Sequence, residues 1–236
     1  MNPFRTLIDL LMPRICHLCG THLLCEESFI CNDCLKKLPV TGYEKYWSNT
    51  NAPNSDLNPM EERFAGQIPL DRACSPFFYT RDSAMASLVH DFKYRNFPDL
   101  ARVMGRHGAS LLIDSGFFND VDILLPVPLH WTKRWRRGYN QSEMIAAGIS
   151  DITGIPVGKN LQATKPHRTQ TSLSALQRIE NTRNVFRLAR NAPLTGKSIM
   201  LVDDICTTGA TLLAASDAIV REIPETRLKI FTLGVV

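Results

Sequence analysis

The feature that most constrains the fold of this chain is a buried strand followed at once by two acids and a hydroxyl-rich loop. Residues 198–202 have the pattern of a buried strand, and residues 209–222 that of a helix. Because ligands of open α/β sheets bind at the carboxyl ends of strands, we expect the intervening residues to face a ligand. These residues include Asp203, Asp204, Thr207, Thr208, Gly209, Ala210 and Thr211.

The residue types of this loop suit a phosphorylated sugar. Backbone N–H groups and the dipole at a helix N-terminus favour a phosphate, and Gly209 lets the backbone approach it closely. The carboxylates of Asp203 and Asp204 are wrongly charged for phosphate but can accept hydrogen bonds from ribose hydroxyls. The alternative is an acidic turn before a helix, with Thr207 or Thr208 serving only as the N-cap.

Strand and helix patterns alternate from about residue 71 to the end of the chain. The predicted strands are 74–79, 121–125, 198–202 and 229–236, and the predicted helices are 83–93, 98–113, 142–150 and 209–222. This alternation predicts an α/β domain with a parallel sheet and helices on both faces.

A dense basic run follows the strand predicted at 121–125. Its cations are Lys133, Arg134, Arg136 and Arg137. Such a patch fits phosphate on a small ligand or on nucleic acid, and arginine presents a planar fork of donors to phosphate oxygens. The alternative is a solvated basic loop beside a helix.

Two tryptophans, Trp131 and Trp135, interleave with these cations. Exposed aromatic rings among cations could stack the bases of single-stranded nucleic acid. Tryptophan is more often buried, so packing at the base of a loop is the favoured interpretation.

Cysteines cluster near the start of the chain, where five of the seven lie between positions 16 and 34. Two C-x-x-C pairs, Cys16 with Cys19 and Cys31 with Cys34, predict a closed structural Zn²⁺ site of four thiolates. Without a secretory signal a disulfide framework is not expected. Cys25 lies outside the pairs and is expected to be a small buried residue.

The 236 residues suffice for a medium domain plus a small one. We expect a short amphipathic helix and a zinc ribbon in residues 1–40, a linker in 41–70 and an α/β domain in 71–236. No stretch approaches the roughly 20 apolar residues that span a bilayer, so a cytoplasmic protein is expected.

The segment that ends in residues 207–211 resembles the signature of type I phosphoribosyltransferases, which bind 5-phosphoribosyl 1-diphosphate (PRPP) with Mg²⁺. The resemblance implies that Asp203 and Asp204 contact the ribose hydroxyls and that 207–211 hold the 5-phosphate. It implies that the basic run binds the diphosphate. It also implies that residues 167–187 close over PRPP, with Arg168 as a catalytic contact; the alternative is a surface helical hairpin.

A zinc ribbon before such a domain resembles the ComF/GntX family, which is associated with competence for DNA uptake. The run Lys93, Tyr94, Arg95 and the run Arg136, Arg137, Gly138, Tyr139, Asn140, Gln141 add to this resemblance. It implies an enzyme in which a nitrogen nucleophile displaces diphosphate from PRPP. The alternative is an accessory protein of natural transformation that binds PRPP or a nucleotide as a sensor, together with single-stranded DNA and the competence machinery.

Overall fold

The structure is a computed structural model that describes residues 13–48, 57–164, 185–189 and 194–236. The strands in these ranges are β1 (Leu70–Cys74), β2 (Phe77–Phe78), β3 (Ile123–Pro126), β4 (Leu161–Ala163), β5 (Phe186–Leu188), β6 (Ser198–Cys206) and β7 (Arg227–Val235). The helices are α1 (Asn32–Lys36), α2 (Lys45–Ser48), α3 (Pro59–Glu62), α4 (Ala84–Tyr94), α5 (Pro98–Leu112), α6 (Trp131–Arg137), α7 (Gln141–Thr153) and α8 (Ala210–Glu222), with a 3₁₀ turn at Ile113–Ser115.

A parallel sheet forms the centre of the described chain. Its strand order is β1–β7–β6–β3, and β2 also pairs with β7. Val202 of β6 and its partner Phe231 of β7 have no exposed surface. Burial on both faces is the usual condition of parallel strands, and it explains the apolar run 199–202 of β6 and the apolar residues of β7. The expected α/β fold with a parallel sheet is confirmed.

The first strand differs from the prediction. The expected strand at 74–79 is divided into β1 and β2, with Ser75 and Pro76 between them. Pro76 has no N–H to give to a ladder, and its carbonyl accepts from the N–H of Thr41 instead. The edge of the sheet is therefore held partly by residues that come before it in the chain.

Residues 57–64, within the segment expected to be a linker, pack against the sheet. The side chain of Asn58 caps α3 and donates from Nδ2 to the carbonyl of Ala73 at 2.9 Å. Met60 and Phe64 have no exposed surface. This packing ties the end of the segment to β1.

Helices α5 and α7 pack closely because glycines face the partner backbone. A Cβ added to Gly105 would lie 2.3 Å from the carbonyl oxygen of Ile145, and one added to Gly148 would lie 2.1 Å from that of Arg102. No side chain fits at either position without moving a helix. This contact places the start of α7 beside the sheet.

No helix within the described ranges has the length and apolar character that a membrane crossing requires.

Replacing Gly148 by alanine should lower the free energy of unfolding by about 1–3 kcal/mol, because the added methyl group overlaps the Arg102 backbone. This net loss is expected because the steric cost of the overlap should exceed the roughly 1 kcal/mol by which alanine stabilises a helix relative to glycine. Chemical denaturation measures the difference. Ala147→Ser adds one atom to the same helix at a half-buried position and should change stability by about 0.5 kcal/mol or less. Equal losses in the two variants would contradict the close packing.

Candidate functional site

The carboxyl ends of β3 and β6 bring the candidate ligand residues together. The N–H of Val127, just after β3, donates to the carbonyl of Val202 at 2.9 Å. Asn140, the N-cap of α7, is buried, and its amide donates to the carbonyl of Val127 at 3.0 Å. Its Oδ1 accepts from the N–H of Ser142 at 3.2 Å. The start of α7 is thereby fixed beside the last residues of β6.

The two predicted acids lie in this corner with different partners. Ser142 Oγ donates to Asp203 Oδ1 at 2.9 Å, and the N–H of Asp204 donates to the same oxygen at 2.9 Å. Asp204 Oδ2 pairs with Lys93 Nζ of α4 at 2.7 Å. Both side chains of this ion pair are largely enclosed, at 19% exposure for Lys93 and 14% for Asp204.

Burial, and then the negative charge of Asp204, raise the pKa of Asp203 to about 7. The hydrogen bonds from the Asp204 N–H and from Ser142 oppose this rise. Asp203 therefore exchanges its proton near neutral pH, and a cation or hydroxyl donor placed beside it favours the charged form. A carboxyl group with a pKa raised in this way is a candidate for a functional role.

The loop after β6 is open at the N-terminus of α8. Thr207 and Thr208 are exposed, and Gly209 takes the left-handed conformation with φ of 79°. Gly209 is itself the N-cap and supplies no side-chain hydrogen bond. The N-cap position is therefore not a threonine, but the hydroxyl of Thr208 accepts from the N–H of Ala210 at 3.4 Å and so provides part of the capping that the alternative assigned to it. The remaining first-turn N–H groups of α8 are suited to an anion.

Arg63 and Phe64, which no sequence pattern identified, contact this loop. A Cβ on Gly209 would lie 2.9 Å from the buried ring of Phe64. The guanidinium of Arg63 donates to the carbonyls of Thr207 and Val236. The loop is thus supported by the residues that follow α3, although no local pattern near residue 60 could have indicated it.

The basic run forms helix α6, so the expectation of a loop here is wrong. The ring of His130 caps the helix by accepting from the N–H of Thr132, and Gly138 ends it in the left-handed conformation. Arg134 pairs with Glu143 at 3.3 Å. The side chains of Lys133 and Arg136 lie outside the described residues.

Arg137 is tied to both of its neighbouring helices. Its guanidinium donates to Gln141 Oε1 at 2.9 Å and lies over the ring of Tyr94, 5.3 Å from the centroid. Since Tyr94 follows Lys93, the end of the basic run approaches the segment that pairs with Asp204.

Trp131 and Trp135 are 71% and 87% exposed. The favoured interpretation, in which they pack at the base of a loop, is therefore wrong. Spaced four residues apart on α6, the two rings lie on one face of the helix.

Arg168 lies outside the described residues, as do residues 165–184, which include most of the loop expected to close over a ligand. The two ends of this segment meet in the antiparallel pair of β4 and β5. The N–H of Thr164 donates to the carbonyl of Val185 at 2.8 Å.

The two C-x-x-C pairs meet in space. The sulfur atoms of Cys16, Cys19, Cys31 and Cys34 all lie within 4.8 Å of one another. Cys19 Sγ and Cys31 Sγ are 3.7 Å apart, close to the ~3.8 Å that a tetrahedron with Zn–S bonds of about 2.3 Å requires. The N–H groups of Leu18 and Cys31 donate to Cys16 Sγ at 3.5 and 3.4 Å, which stabilises a thiolate.

The cysteines of the cluster differ in the pKa of their thiols, and a bound divalent cation would favour the thiolate form of all four. The hydroxyl of Thr21, 2.7 Å from Cys19 Sγ, lowers the pKa of Cys19 to about 6. Desolvation, and then the neighbouring sulfurs, raise the pKa of Cys34. Four sulfurs at this spacing cannot all ionise unless a cation shares them, so the donor set fits structural Zn²⁺.

Two further residues of this segment differ in environment. Cys25 is exposed, so the expectation that it is buried is wrong. His17, between the first two cluster cysteines, turns away from the sulfurs. Its Nδ1 donates to Asp91 Oδ2 of α4 at 3.1 Å, and its ring lies edge-on against Phe97.

Curated relatives of the chain carry names that concern competence and DNA. Competence protein F of Haemophilus influenzae is 32% identical over 133 residues, which are 54% of this chain and 58% of that protein. DNA utilization protein YhgH of Escherichia coli K12 is 26% identical over 216 residues, 90% of this chain and 93% of that protein. Competence protein ComFC of Bacillus subtilis is 27% identical over 158 residues, 66% of this chain and 61% of that protein. These relatives confirm the ComF-type resemblance.

The alignments with the two competence proteins span about three fifths of those proteins. No protein-family model matches the chain. Among solved structures, glutamine PRPP amidotransferase from B. subtilis, complexed with ADP and GMP, covers 60% of this chain and 30% of its own at 23% identity and a TM-score of 0.40. A structure described as the allosteric regulatory enzyme of purine biosynthesis has a TM-score of 0.38. At this degree of likeness neither structure bears on the ligand or activity of this chain.

Removing two ligands of the cluster should release its metal. Purified wild-type protein should contain one zinc per chain by elemental analysis, and Cys16→Ser with Cys31→Ser should contain none, because two thiolates do not close a tetrahedral site. Cys25→Ser is the matched control, since Cys25 lies in the same segment outside the cluster, and it should keep its zinc. Zinc retained by the double variant would exclude the four-cysteine site.

Proposed function

We propose that this relative of the ComF-type competence and DNA-utilization proteins binds PRPP, with Asp203 and Asp204 on its ribose and residues 207–211 on its 5-phosphate. The observation that carries the proposal is the junction of β6 and α8. Two carboxylates lie near the end of the strand, and the N-terminus of α8, preceded by two exposed threonines, follows within a few residues. A ribose phosphate presents hydroxyl donors and an anion in that same order.

The raised pKa of Asp203 supports this assignment. Its second oxygen accepts no hydrogen bond from the described residues, and hydroxyl groups of a sugar would supply donors that favour the charged form. Thr207 and Thr208 offer hydroxyl groups, and Gly209 and Ala210 offer backbone N–H groups. Thr211, in the first turn of α8, adds a further hydroxyl.

The diphosphate end of the ligand is proposed to meet the basic run. Arg134 is 58% exposed and only loosely paired with Glu143, so a phosphate group could replace that partner. Arg137 is held by Gln141 and Tyr94 and would act as a fixed charge. Lys133, Arg136 and Arg168 are proposed as further diphosphate or catalytic contacts on the strength of the family resemblance alone.

The proposed reaction is transfer of the phosphoribosyl group to a nitrogen base. The lone pair of the nitrogen forms a bond to C1 of the ribose while the C1–O bond breaks, and the electron pair leaves with diphosphate as the nitrogen loses its proton. Basic side chains stabilise the departing charge. Mg²⁺ carried by the diphosphate would neutralise part of that charge, with Asp203 and Asp204 as the carboxylates available to it.

The four-cysteine cluster requires reduced thiols, and a reducing compartment keeps them so. This supports a cytoplasmic site of action, where the protein would assist the handling of incoming DNA that the names of its relatives suggest.

Isothermal titration with PRPP and Mg²⁺ should show binding that Asp203→Asn with Asp204→Asn weakens about a hundredfold. Each charged hydrogen bond to a hydroxyl is worth about 1.5–3 kcal/mol, and 1.4 kcal/mol is tenfold in Kd. Asp217→Asn removes an acid of the exposed face of α8 and should leave Kd unchanged. Equal affinities of the double variant and the wild type would refute the site.

A screen for PRPP-dependent release of pyrophosphate across bases would then identify the acceptor.

A second candidate function, binding of single-stranded DNA, is favoured by the exposed face of α6. Two rings on one face of a helix, among the cations of the basic run, match the stacking and backbone contacts that sequence-tolerant single-strand binding uses. This surface and the PRPP site could operate on one chain, either in an enzyme or in a non-catalytic accessory protein that uses its ligand as a sensor.

Trp131→Ala with Trp135→Ala should weaken binding of an oligothymidine about tenfold or more, since each stacked base contributes about 1–3 kcal/mol. Fluorescence anisotropy at several salt concentrations measures both the affinity and the salt slope. Trp131→Phe with Trp135→Phe keeps aromatic faces and should retain most of the affinity. The slope should stay the same in all three proteins, because phosphate contacts and not the rings release counterions. Undiminished binding by the alanine variant would exclude this surface.

A further inference from the structure

The last turns of α4 join the four-cysteine cluster to the candidate ligand site. On one side, Asp91 accepts from His17, which lies between two cluster cysteines. On the other, Lys93 pairs with Asp204. Residues two apart on a helix point to nearly opposite sides, so α4 lies between the cluster and the acid pair.

Asp91 depends on His17 more than on its other partners. Its side chain is 8% exposed, and an anion near the C-terminus of a helix is disfavoured by the helix dipole. Arg95 Nε lies 3.4 Å away and His90 Nδ1 3.8 Å away, but these side chains are 66% and 57% exposed. His17 is the enclosed donor, at 18% exposure. Without it, the enclosed carboxylate would depend on partners that lie largely in water.

The same part of α4 also carries contacts to the basic run. The hydroxyl of Tyr139 donates to the carbonyl of Phe92, and Arg137 lies over the ring of Tyr94. A displacement of this turn would therefore reach both proposed ends of the ligand. The contacts of Phe92 and Tyr94 bracket Lys93 in the chain.

We propose that His17 and Asp91 are positioning residues through which the metal-loaded cluster holds Lys93 against Asp204, so that metal occupancy and ligand affinity are linked. His17 is placed by the turn that the first two cluster cysteines close, and loss of metal would free that turn. The link is reciprocal, since a ligand bound at Asp204 would favour the same arrangement of α4. The effect on ligand affinity rests on the proposed function; the effect on the Lys93–Asp204 pair does not.

The test uses His17→Phe, which keeps an aromatic ring against Phe97 and removes the donor to Asp91. The variant should keep its zinc by elemental analysis and bind PRPP about fivefold or more weakly, the lower end of usual coupling between sites. His22→Phe makes the same change at an exposed position of the same segment and should leave Kd unchanged. In a Lys93→Met background, His17→Phe should cause no further loss. Additive losses would overturn the proposal.

A second readout needs no ligand. Reductive methylation with ¹³C-formaldehyde labels the lysines, and the resonance missing from Lys93→Arg identifies Lys93. In His17→Phe this resonance should move towards the position of exposed lysines, whereas in His22→Phe it should stay. Asp91→Asn, which keeps the shape of the side chain, should move it in the same direction if His17→Phe folds poorly.

An unmoved Lys93 resonance in both His17→Phe and Asp91→Asn would overturn the proposal, whatever the protein binds. A moved resonance in a protein that fails to bind PRPP would support the proposal and refute only the ligand assigned to the site.

Discussion

The position of β6 between two parallel neighbours is the constraint on which the rest of the structure depends. This strand is buried through Val202, where its pairing with β3 ends, and its two acids follow while the strand is still paired with β7. Its neighbour β3 leaves at the same edge, because parallel strands share a direction. Hydrogen bonds from Asn140 then bring the start of α7, with Ser142, to Asp203. The chemistry of this corner is thus a result of strand direction as much as of residue type.

Sequence alone predicted the parts of this arrangement that local patterns encode. The apolar run of β6 and the helix after it were correctly placed, although the strand continues past the predicted residue 202 to Cys206 and includes both acids. The two cysteine pairs were also correctly placed, because a metal imposes a fixed spacing on its ligands. Helices α4, α5 and α7 begin and end close to the predicted residues, since their apolar positions recur at helical spacing.

Contacts between distant segments could not be predicted in this way. Nothing near Arg63 indicated that it would hold the carbonyl of Thr207, and nothing near Lys93 gave its distance from Asp204. Helix α6 was not predicted because its sequence is rich in cations, which obscure any apolar periodicity. The helix depends on its caps at His130 and Gly138. Its exposed tryptophans depart from the usual burial of that residue, and such departures tend to occur where a surface has a binding role.

The ring of Phe64 lies directly beneath Gly209, so packing links two positions that are far apart in the chain. A larger residue at 209 would meet this ring and would also be strained by the left-handed backbone, and a smaller residue at 64 would leave a void under the loop. Substitution of Phe64, in the segment before β1, is therefore limited by the geometry of the loop at Gly209, which lies far from it in the sequence.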